Sequence, residues 1–326
     1  DLATAGVLAA GLPAELGGAG LGLLAQCSVL IELGRAACDV PYLASIVLGA
    51  GAVAAFGTAA QQERWAAAAG QGSVVLTAAL AEPDGDDPRV PSARAERAGG
   101  RWVLSGVKTA VDAAPEADLF LVPCASPDGV LVFLVSLSDA GVIVEPQQLT
   151  DFAPAGRVVL DGCVLSEDRV LAGSGQGAGV ADWLVARATV GLCAMQAGVI
   201  ERALELTAEY AKSRMAFGRP IGSFQAVTQR LADAFVDVEA VRLTMWQAAW
   251  LLASGAAGSD VAVATAKFWA AEAGHRVAHT AVHVHGGMGI DVTYPVHRYF
   301  VAAKRNEFAL GGAAAQLRRI GGALAG

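Results

Sequence analysis

The chain has 326 residues and a formal net charge of −8, and no run of basic residues interrupts this acidic balance. We therefore expect no nucleic-acid partner. Hydrophobic residues make up 54% of the chain, but polar residues break its long charge-free runs, so we expect no membrane span. Surplus apolar surface of this kind is typical of subunit interfaces.

The N-terminus and the cysteines bear on the compartment. The first residues lack the basic stretch and the small-residue cleavage site of a secretory signal. The five cysteines are scattered and form no C-x-x-C pair. We therefore expect a cytoplasmic protein without a metal site, whose cysteines are reduced and buried. The length also exceeds what one core usually supports, so two or three domains are expected.

The first two parts of the chain differ in pattern. Residues 1–70 show helical spacing of apolar side chains, which predicts helices over 23–35, 42–56 and 60–69. Residues 71–172 instead contain short β-rich runs separated by Gly, Pro and Asp, as in a small barrel or sandwich. Gly99 and Gly100 mark a predicted hairpin turn. The predicted strands are residues 74–80, 102–107, 119–122, 130–135, 142–144 and 158–160.

A glycine-rich joint around Ser174 opens the last part of the chain, residues 173–326. The remaining sequence is helical and apolar on several faces, which predicts a four-helix bundle that also packs against other subunits. The predicted helices are residues 182–215, 223–254, 259–283 and 294–311. The expected fold class is α+β, with an N-terminal helical domain (1–70), a middle β domain (71–172) and a C-terminal bundle (173–326).

A corner between two helices contains the first informative motif, RMAFGRPIGSFQ at 214–225. Gly218 and Pro220 prevent the preceding helix from continuing. The residue before the proline is pushed to extended geometry. Ser223 is then predicted to cap the next helix.

This corner displays three kinds of ligand-binding group together: the cation of Arg214, the ring of Phe217 and the amide of Gln225. About sixty residues on, the sequence HVHGGMG places Gly286 and Gly287 side by side. Their backbone can lie directly against a ligand and offer N–H groups to phosphate oxygens. Cation, ring, amide and bare backbone together suit an adenine dinucleotide.

At these residues the chain resembles the acyl-CoA dehydrogenase family, through R-x-x-F-G-x-P-I-x-x-F-Q and the G-G-x-G turn followed by YPVHR at 294–298. The resemblance covers nearly the whole chain and implies FAD as cofactor, an acyl-CoA substrate and an electron-transfer flavoprotein-type acceptor. Full-length members begin with a further helix, so a trimmed, disordered or reduced start is expected. The alternative interpretation is an ordinary helical corner with a surface arginine.

The family reaction needs a carboxylate that removes the α-proton while the β-hydrogen leaves as hydride to the flavin. Most members place this base at a position that matches Leu310, and a minority at one that matches Leu184. Leucine cannot accept a proton, so no catalytic residue is expected in this chain. Glu307, one turn before Leu310, is the candidate for a relocated base. The alternative for Glu307 is a solvated carboxylate beside Lys304.

The β domain departs from the family as well. The family strand Leu-Thr-Glu-Pro is LAEP at 80–83, the following Gly-Ser-Asp is DGDD at 84–87, and Lys-x-Trp-Ile-Thr is KTAVD at 108–112. Ala81 thus replaces a hydroxyl that touches the flavin, and Ala110 replaces the tryptophan that covers the isoalloxazine. Asp112 would place a negative charge beside an electron-rich ring, which is unfavourable.

The residues for the adenine and pyrophosphate are kept, whereas the pocket for the isoalloxazine ring (the ring pocket) has lost its expected contacts. In this combination the chain resembles the short, base-lacking subunit of actinobacterial, mycobacterial-type steroid side-chain acyl-CoA dehydrogenases. These are α2β2 heterotetramers in which the partner is the catalytic subunit, and the family's corner reaches a flavin held mainly by a neighbour. His283 falls at the family's glutamine position beside the diphosphate, and both flavin contact and bonding to helix-end carbonyls stay open for it. A self-sufficient homo-oligomer using Glu307 and a flavin-free scaffold are the two alternatives.

Overall fold

The computed structural model describes residues 2–85, 87–173 and 175–325. Asp86, in the predicted loop, and Ser174, in the predicted joint, lie outside the described residues. The chain divides into two compact units, Asp1–Gln26 with Asp39–Ala188, and Cys27–Cys38 with Thr189–Gly326. The domain boundaries after residues 70 and 172 stay predictions.

The N-terminal part is helical, as predicted. Helix α1 is Gly22–Ala36 and helix α2 is Tyr42–Phe56, whose first part, Tyr42–Ala50, is π-helical and fully buried. Helix α3 follows over residues 59–70. Thr58 caps α3 through reciprocal hydrogen bonds with Gln61, which is why α3 begins directly after Thr58.

An eight-stranded, mostly antiparallel sheet follows, in the order β6-β7-β3-β2-β4-β5-β8, with β1 parallel to β4. The pairing of Ala98 with Arg101 confirms the predicted Gly99-Gly100 hairpin. The sheet encloses a core around Trp102, Phe120 and Phe133. Its strands are β1 Leu76–Ala78, β2 Arg94–Ala98, β3 Arg101–Asp112, β4 Leu119–Ser126, β5 Gly129–Ser136, β6 Val142–Gln148, β7 Pro154–Leu165 and β8 Val170–Leu171.

The C-terminal part is a helical bundle, which confirms the predicted fold class. Its described residues form one helix more than the four that the sequence predicted, because the short, Ala- and Gly-rich last segment also folds as a helix. The helices are α4 Gly177–Ser213, α5 Gln225–Ser254, α6 Ser259–His285, α7 Pro295–Phe308 and α8 Ala313–Ala325. Among the described residues, α4 has the length and composition of a membrane span, but 78% of its most apolar window is buried, as in a core helix.

Two local expectations were wrong. Ser223 does not cap α5, because it lies in a short 3-10 turn and its Oγ donates to the carbonyl of Pro220 at 2.7 Å. The residue at the N-cap is Phe224, which makes no side-chain cap. Cys38 is exposed, just past the end of α1, whereas the other four cysteines are buried, and all five are free thiols.

A polar network in the bundle core joins three helices. The amide nitrogen of Gln196 on α4 donates to the carbonyls of Ala270 on α6 and Ala303 on α7, while its oxygen accepts from Asn306. Gly274 leaves the space for this amide, since a Cβ there would lie 1.8 Å from the Gln196 nitrogen. Every hydrogen bond of this amide is thus made inside the bundle, which keeps its burial from being costly.

Lys267 on α6 belongs to the same region and is fully buried. Its Nζ donates to the carbonyls of Asn306 and Glu307, at 2.9 and 3.0 Å, in the last turn of α7. Burial lowers the pKa of the Lys267 amine to about 8. The cation lies at the negative end of the helix dipole and satisfies carbonyls that have no partner within the helix.

A second buried charge holds the middle of the sheet. Lys108 on β3 pairs with Glu82 at 2.6 Å, and both side chains are almost completely buried. Glu82 also accepts from the backbone of Ser92 and Ala93. Burial alone would raise the pKa of the Glu82 carboxyl, but hydrogen bonds from Lys108 and Ser92 and the charge of Lys108 outweigh it and hold the pKa below its usual range.

We expect Lys108→Met to lower the free energy of unfolding by about 3–5 kcal/mol, because it leaves the Glu82 carboxylate buried without its cation. Urea unfolding followed by circular dichroism measures this. The matched control is Arg157→Met, whose ion pair with Glu145 is exposed and should be worth no more than about 1 kcal/mol. Equal losses in the two variants would contradict the assignment.

The loss of stability in Lys108→Met should depend on pH. Because the pKa of Glu82 is lowered by folding, the stabilisation by this pair is complete above the pKa of an unfolded glutamate and is lost as the pH falls through the folded value. The difference in stability between the wild type and Lys108→Met should therefore shrink on acidification.

Candidate functional site

The 214–225 corner folds as a tight hairpin on the end of α4. The amide of Arg214 still bonds to the carbonyl of Tyr210, at 2.8 Å. Strand β9, Met215–Ala216, then pairs with strand β10, Arg219–Pro220. Phe217 and Gly218 form the turn, with φ of +52° and +79°, as in the type I′ turns that match the twist of a hairpin. Glycine adopts this geometry freely, but phenylalanine does so at a cost in strain.

This geometry exposes the predicted ligand-binding groups. The ring of Phe217 is 96% exposed and meets the ring of Phe224 edge-on, with centroids 6.1 Å apart. Arg214 is exposed and makes no ion pair within the described part of the chain. Gln225 is exposed and begins α5. The guanidinium of Arg219 lies 4.2 Å above the Phe224 ring, which fixes the base of the hairpin.

The second predicted segment lies at the end of α6. Gly286 has φ of +60° and ψ of −137°, and its N–H bonds to the carbonyl of His283. Gly286 and Gly287 are both exposed, and a Cβ at either would meet no atom within 4 Å. The His283 side chain is exposed. The turn therefore presents bare backbone that a ligand can approach closely, with an imidazole beside it.

The structure brings these two segments together through a contact that the sequence did not predict. The ring of His285, next to Gly286, stacks on the ring of Tyr210 with centroids 4.3 Å apart and planes 24° apart. Tyr210 lies four residues before Arg214. The two residues are 75 positions apart, so no helical or strand periodicity could connect them.

The two leucines at the predicted positions of a catalytic base have defined surroundings. Leu184 on α4 is fully buried. Leu310 follows α7 with φ of +57°, and Gln316 donates to the carbonyls of Leu310 and Gly311 at 3.1 and 3.0 Å. These contacts fix the turn, but neither leucine offers an atom that could accept a proton from a substrate.

Glu307 is engaged in an ion pair. Its carboxylate accepts from Lys304 at 2.5 Å and lies 3.3 Å from Nδ1 of His275, and its side chain is only 15% exposed. The expected neighbour Lys304 is present, but the expectation of a solvated carboxylate was wrong. Because the carboxylate is already engaged by Lys304 and lies beside His275, the geometry argues against Glu307 as a relocated base.

The positions of the β domain that depart from the family lie close together. The amide of Thr109 bonds to the carbonyl of Ala81 at 3.0 Å, so the two altered strand ends are neighbours. Ala110 is exposed in a left-handed conformation, φ +49°, and its amide donates to Gln147. A methyl group cannot cover a flavin ring. The nearby Asp112 is half-buried, and its carbonyl accepts from Thr77.

Within residues 2–85, 87–173 and 175–325, no group of three or more potential ligands could hold a metal ion.

Two further histidines, His275 and His279, belong to an aromatic cluster. The rings of His275 and His279 lie with centroids 4.2 Å apart and planes tilted by 36°, and Phe300 meets His279 edge-on. Burial, with the nearby charges of His275 and Lys304, lowers the pKa of His279. This cluster lies on helices α6 and α7.

Comparison with known proteins agrees with the resemblance. Family models of acyl-CoA dehydrogenase match the N-terminal domain at residues 1–73, the middle domain at 77–163 and the C-terminal domain at 175–325. The chain belongs to the acyl-CoA dehydrogenase family. Members of this family are FAD-dependent flavoproteins.

Two mycobacterial chains and a chain of a further solved structure are similar to this chain over almost its full length. Acyl-CoA dehydrogenase FadE27 of Mycobacterium tuberculosis is 49% identical, covering 99% of this chain and 87% of the relative. A chain of the ChsE4-ChsE5 complex from the same organism superposes with a TM-score of 0.94 at 49% identity, covering 99% of this chain and 86% of that one. A chain of the Tcur3481-Tcur3483 steroid ACAD superposes at 0.92 with 41% identity, covering 99% and 87%.

We expect Phe217→Asn to raise the free energy of unfolding by about 1 kcal/mol, because asparagine tolerates the left-handed turn conformation that strains phenylalanine. The exposed ring leaves little buried area to lose. Phe217→Ala is the control, since it removes the ring but keeps the strain. Urea unfolding of both variants tests this, and an asparagine variant no more stable than the alanine variant would contradict it.

Proposed function

We propose that this chain is a non-catalytic subunit of a heteromeric FAD-dependent acyl-CoA dehydrogenase, which desaturates a steroid side-chain CoA thioester. The proposal rests on one observation: leucine, as Leu184 and Leu310, stands at both positions where the family places its base. The similarity to chains of the ChsE4-ChsE5 complex and of a steroid ACAD pair supports a partner and a steroid substrate.

The exposed groups of the corner fit one part of FAD. Arg214 has no described carboxylate to neutralise it, so its charge is available to a phosphate. The face of Phe217 is open for the adenine, and Gln225 lies at the start of a long helix, where negative charge is favoured. The glycine pair, with His283 beside it, leaves room for the diphosphate. We assign these residues to a flavin that is seated in the partner.

The ring half of the cofactor does not fit the chain's own β domain. Ala110 and Ala81 offer neither a covering aromatic face nor a hydroxyl, and Asp112 carries a charge of the wrong sign. FAD supplies the hydride acceptor of the family reaction when bound. In the proposed complex, the partner contributes the ring pocket and the base, while this chain binds and orients the adenine and pyrophosphate end.

The assembly follows from this division of roles. Each flavin needs the Arg214 corner of this chain and the ring pocket of the partner. This favours an α2β2 tetramer of this chain and a catalytic acyl-CoA dehydrogenase subunit. We further propose an electron-transfer flavoprotein-type acceptor and a cytoplasmic location, as expected from the family and from the sequence.

The purified chain alone should have no acyl-CoA dehydrogenase activity, and activity should appear on co-expression with the partner. Leu310→Glu should not create activity in the isolated chain, because a base without a seated flavin has no hydride acceptor. Dye-reduction assays with steroid and short-chain CoA thioesters measure this. Turnover by the lone wild-type chain with any acyl-CoA would exclude the non-catalytic role.

The complex should contain two FAD per α2β2 tetramer, and the isolated chain little or none. The physical reason is that each flavin uses one corner and one ring pocket, and the ring pocket of this chain stays empty. Flavin absorbance of the denatured complex against protein concentration gives the count. Four FAD per tetramer, or yellow homo-oligomers of this chain, would refute the proposed seating.

Arg214→Ala should weaken FAD binding by the complex by roughly 1.5–3 kcal/mol, or about ten- to a hundredfold, through loss of a charge-assisted phosphate contact. Equilibrium titration of the apo complex with FAD measures the affinity. Arg318→Ala, an exposed arginine on α8, is the control and should leave it unchanged. A flavin-free scaffold predicts instead that Arg214→Ala changes neither content nor affinity.

The remaining alternative is a self-sufficient enzyme with Glu307 as base. It predicts that Glu307→Gln abolishes activity and leaves the flavin absorbance unchanged. Under the proposed function, Glu307→Gln keeps the turnover of the complex, because Glu307 serves only to hold Lys304 and His275. The ion pair with Lys304 favours this second outcome.

A further inference from the structure

His285 is a buried polar residue that the proposed cofactor contacts do not use. Its side chain is 3% exposed, in the last turn of α6. One face stacks on Tyr210 at the end of α4, and Tyr294, before the start of α7, lies 5.3 Å away at 55°. The imidazole on α6 therefore lies between the end of α4 and the residue that precedes α7.

The hydrogen bonding of this ring defines its protonation. Nδ1 lies 2.8 Å from the carbonyl of Ala281, and since a carbonyl can only accept, Nδ1 carries the hydrogen. Nε2 is buried without a partner among the described residues. Burial also lowers the pKa of His285, so the ring is neutral with a bare lone pair on Nε2. An unsatisfied buried acceptor costs stability, so the ring is not explained by packing preference alone.

The two stacked residues lie just before the two exposed segments. Tyr210 precedes Arg214 by one helical turn, and its carbonyl accepts from the Arg214 amide. His285 directly precedes Gly286. The exposed hairpin and the exposed glycine turn have no other described ring contact that joins them. The stack therefore links the two exposed segments at the points where they leave α4 and α6.

We propose that His285 is a positioning residue, whose ring, stacked on Tyr210, sets the spacing between the Arg214 corner and the Gly286-Gly287 turn. This inference rests on the proposed function, since it assigns both segments to one FAD. His285 itself does not touch the cofactor. A ligand that spans two segments binds tightly only if their spacing is fixed before it arrives.

The test compares variants that keep or remove the ring, in the co-expressed complex titrated with FAD. His285→Phe keeps an aromatic face and removes the unsatisfied nitrogen, so the FAD affinity should be retained and the melting temperature equal or higher. His285→Leu removes the stack and should weaken FAD about tenfold. Tyr210→Leu should have the same effect, and the double variant should be no worse than either, because both remove one interaction.

A structural role alone must be separated from positioning. Val263→Ala, a buried residue near the other end of α6, is the matched control. It should lower the melting temperature as His285→Leu does but leave the FAD affinity unchanged. Amide hydrogen exchange of the chain without flavin is a second readout. His285→Leu should speed exchange at both Arg214 and Gly287, and Val263→Ala at neither.

The outcomes separate the two proposals. If Arg214→Ala weakens FAD but His285→Leu and Tyr210→Leu do not, the positioning role is wrong and the proposed function stands. If Arg214→Ala also has no effect, the proposed function fails. Weakening by His285→Phe equal to that by His285→Leu would overturn the role of the ring, and an equal affinity loss in Val263→Ala would reduce the effect to general destabilisation.

Discussion

The bundle depends on one buried cation. Lys267 reaches the last turn of α7 from α6 and donates to the carbonyls of Asn306 and Glu307. Asn306 in turn bonds to Gln196 on α4. A buried ammonium needs hydrogen-bond acceptors that offset its loss of water. This requirement fixes the register of three helices, and with it the ends from which the exposed segments emerge.

The predicted site residues lie at or just beyond those helix ends. The end of α4 leads into the Arg214 hairpin, and the end of α6 leads into the glycine turn. The end of α7 leads to Leu310, where Gln316 holds the turn through its carbonyls. Under the proposed function, this turn keeps its geometry although leucine stands at the predicted base position. An ordered turn around an inert residue is what a subunit that docks with a catalytic partner would need.

The β domain shows the same separation of scaffold and chemistry. Glu82 and Lys108 belong to the two family strands whose flavin-facing positions have changed, and their ion pair is buried. A buried pair cannot lose one member without leaving the other uncompensated. The side chains of Ala81 and Ala110 form no ion pair, since they carry no charge. Stability therefore fixes the pair, whereas under the proposed function the ring-facing positions are free to vary because the flavin ring is held in the partner.

The sequence alone predicted the order helices, sheet, helices along the chain, the hairpin at Gly99-Gly100 and the family, because periodicity, turn residues and the two motifs are local. The two leucines at the predicted base positions are likewise read directly from the sequence. It missed the last helix, misassigned Ser223 as a cap, and placed Glu307 in solvent, since these depend on packing. The stack of His285 on Tyr210 was decided by tertiary structure alone. Contacts between residues 75 positions apart follow from how whole helices pack, and no local pattern encodes them.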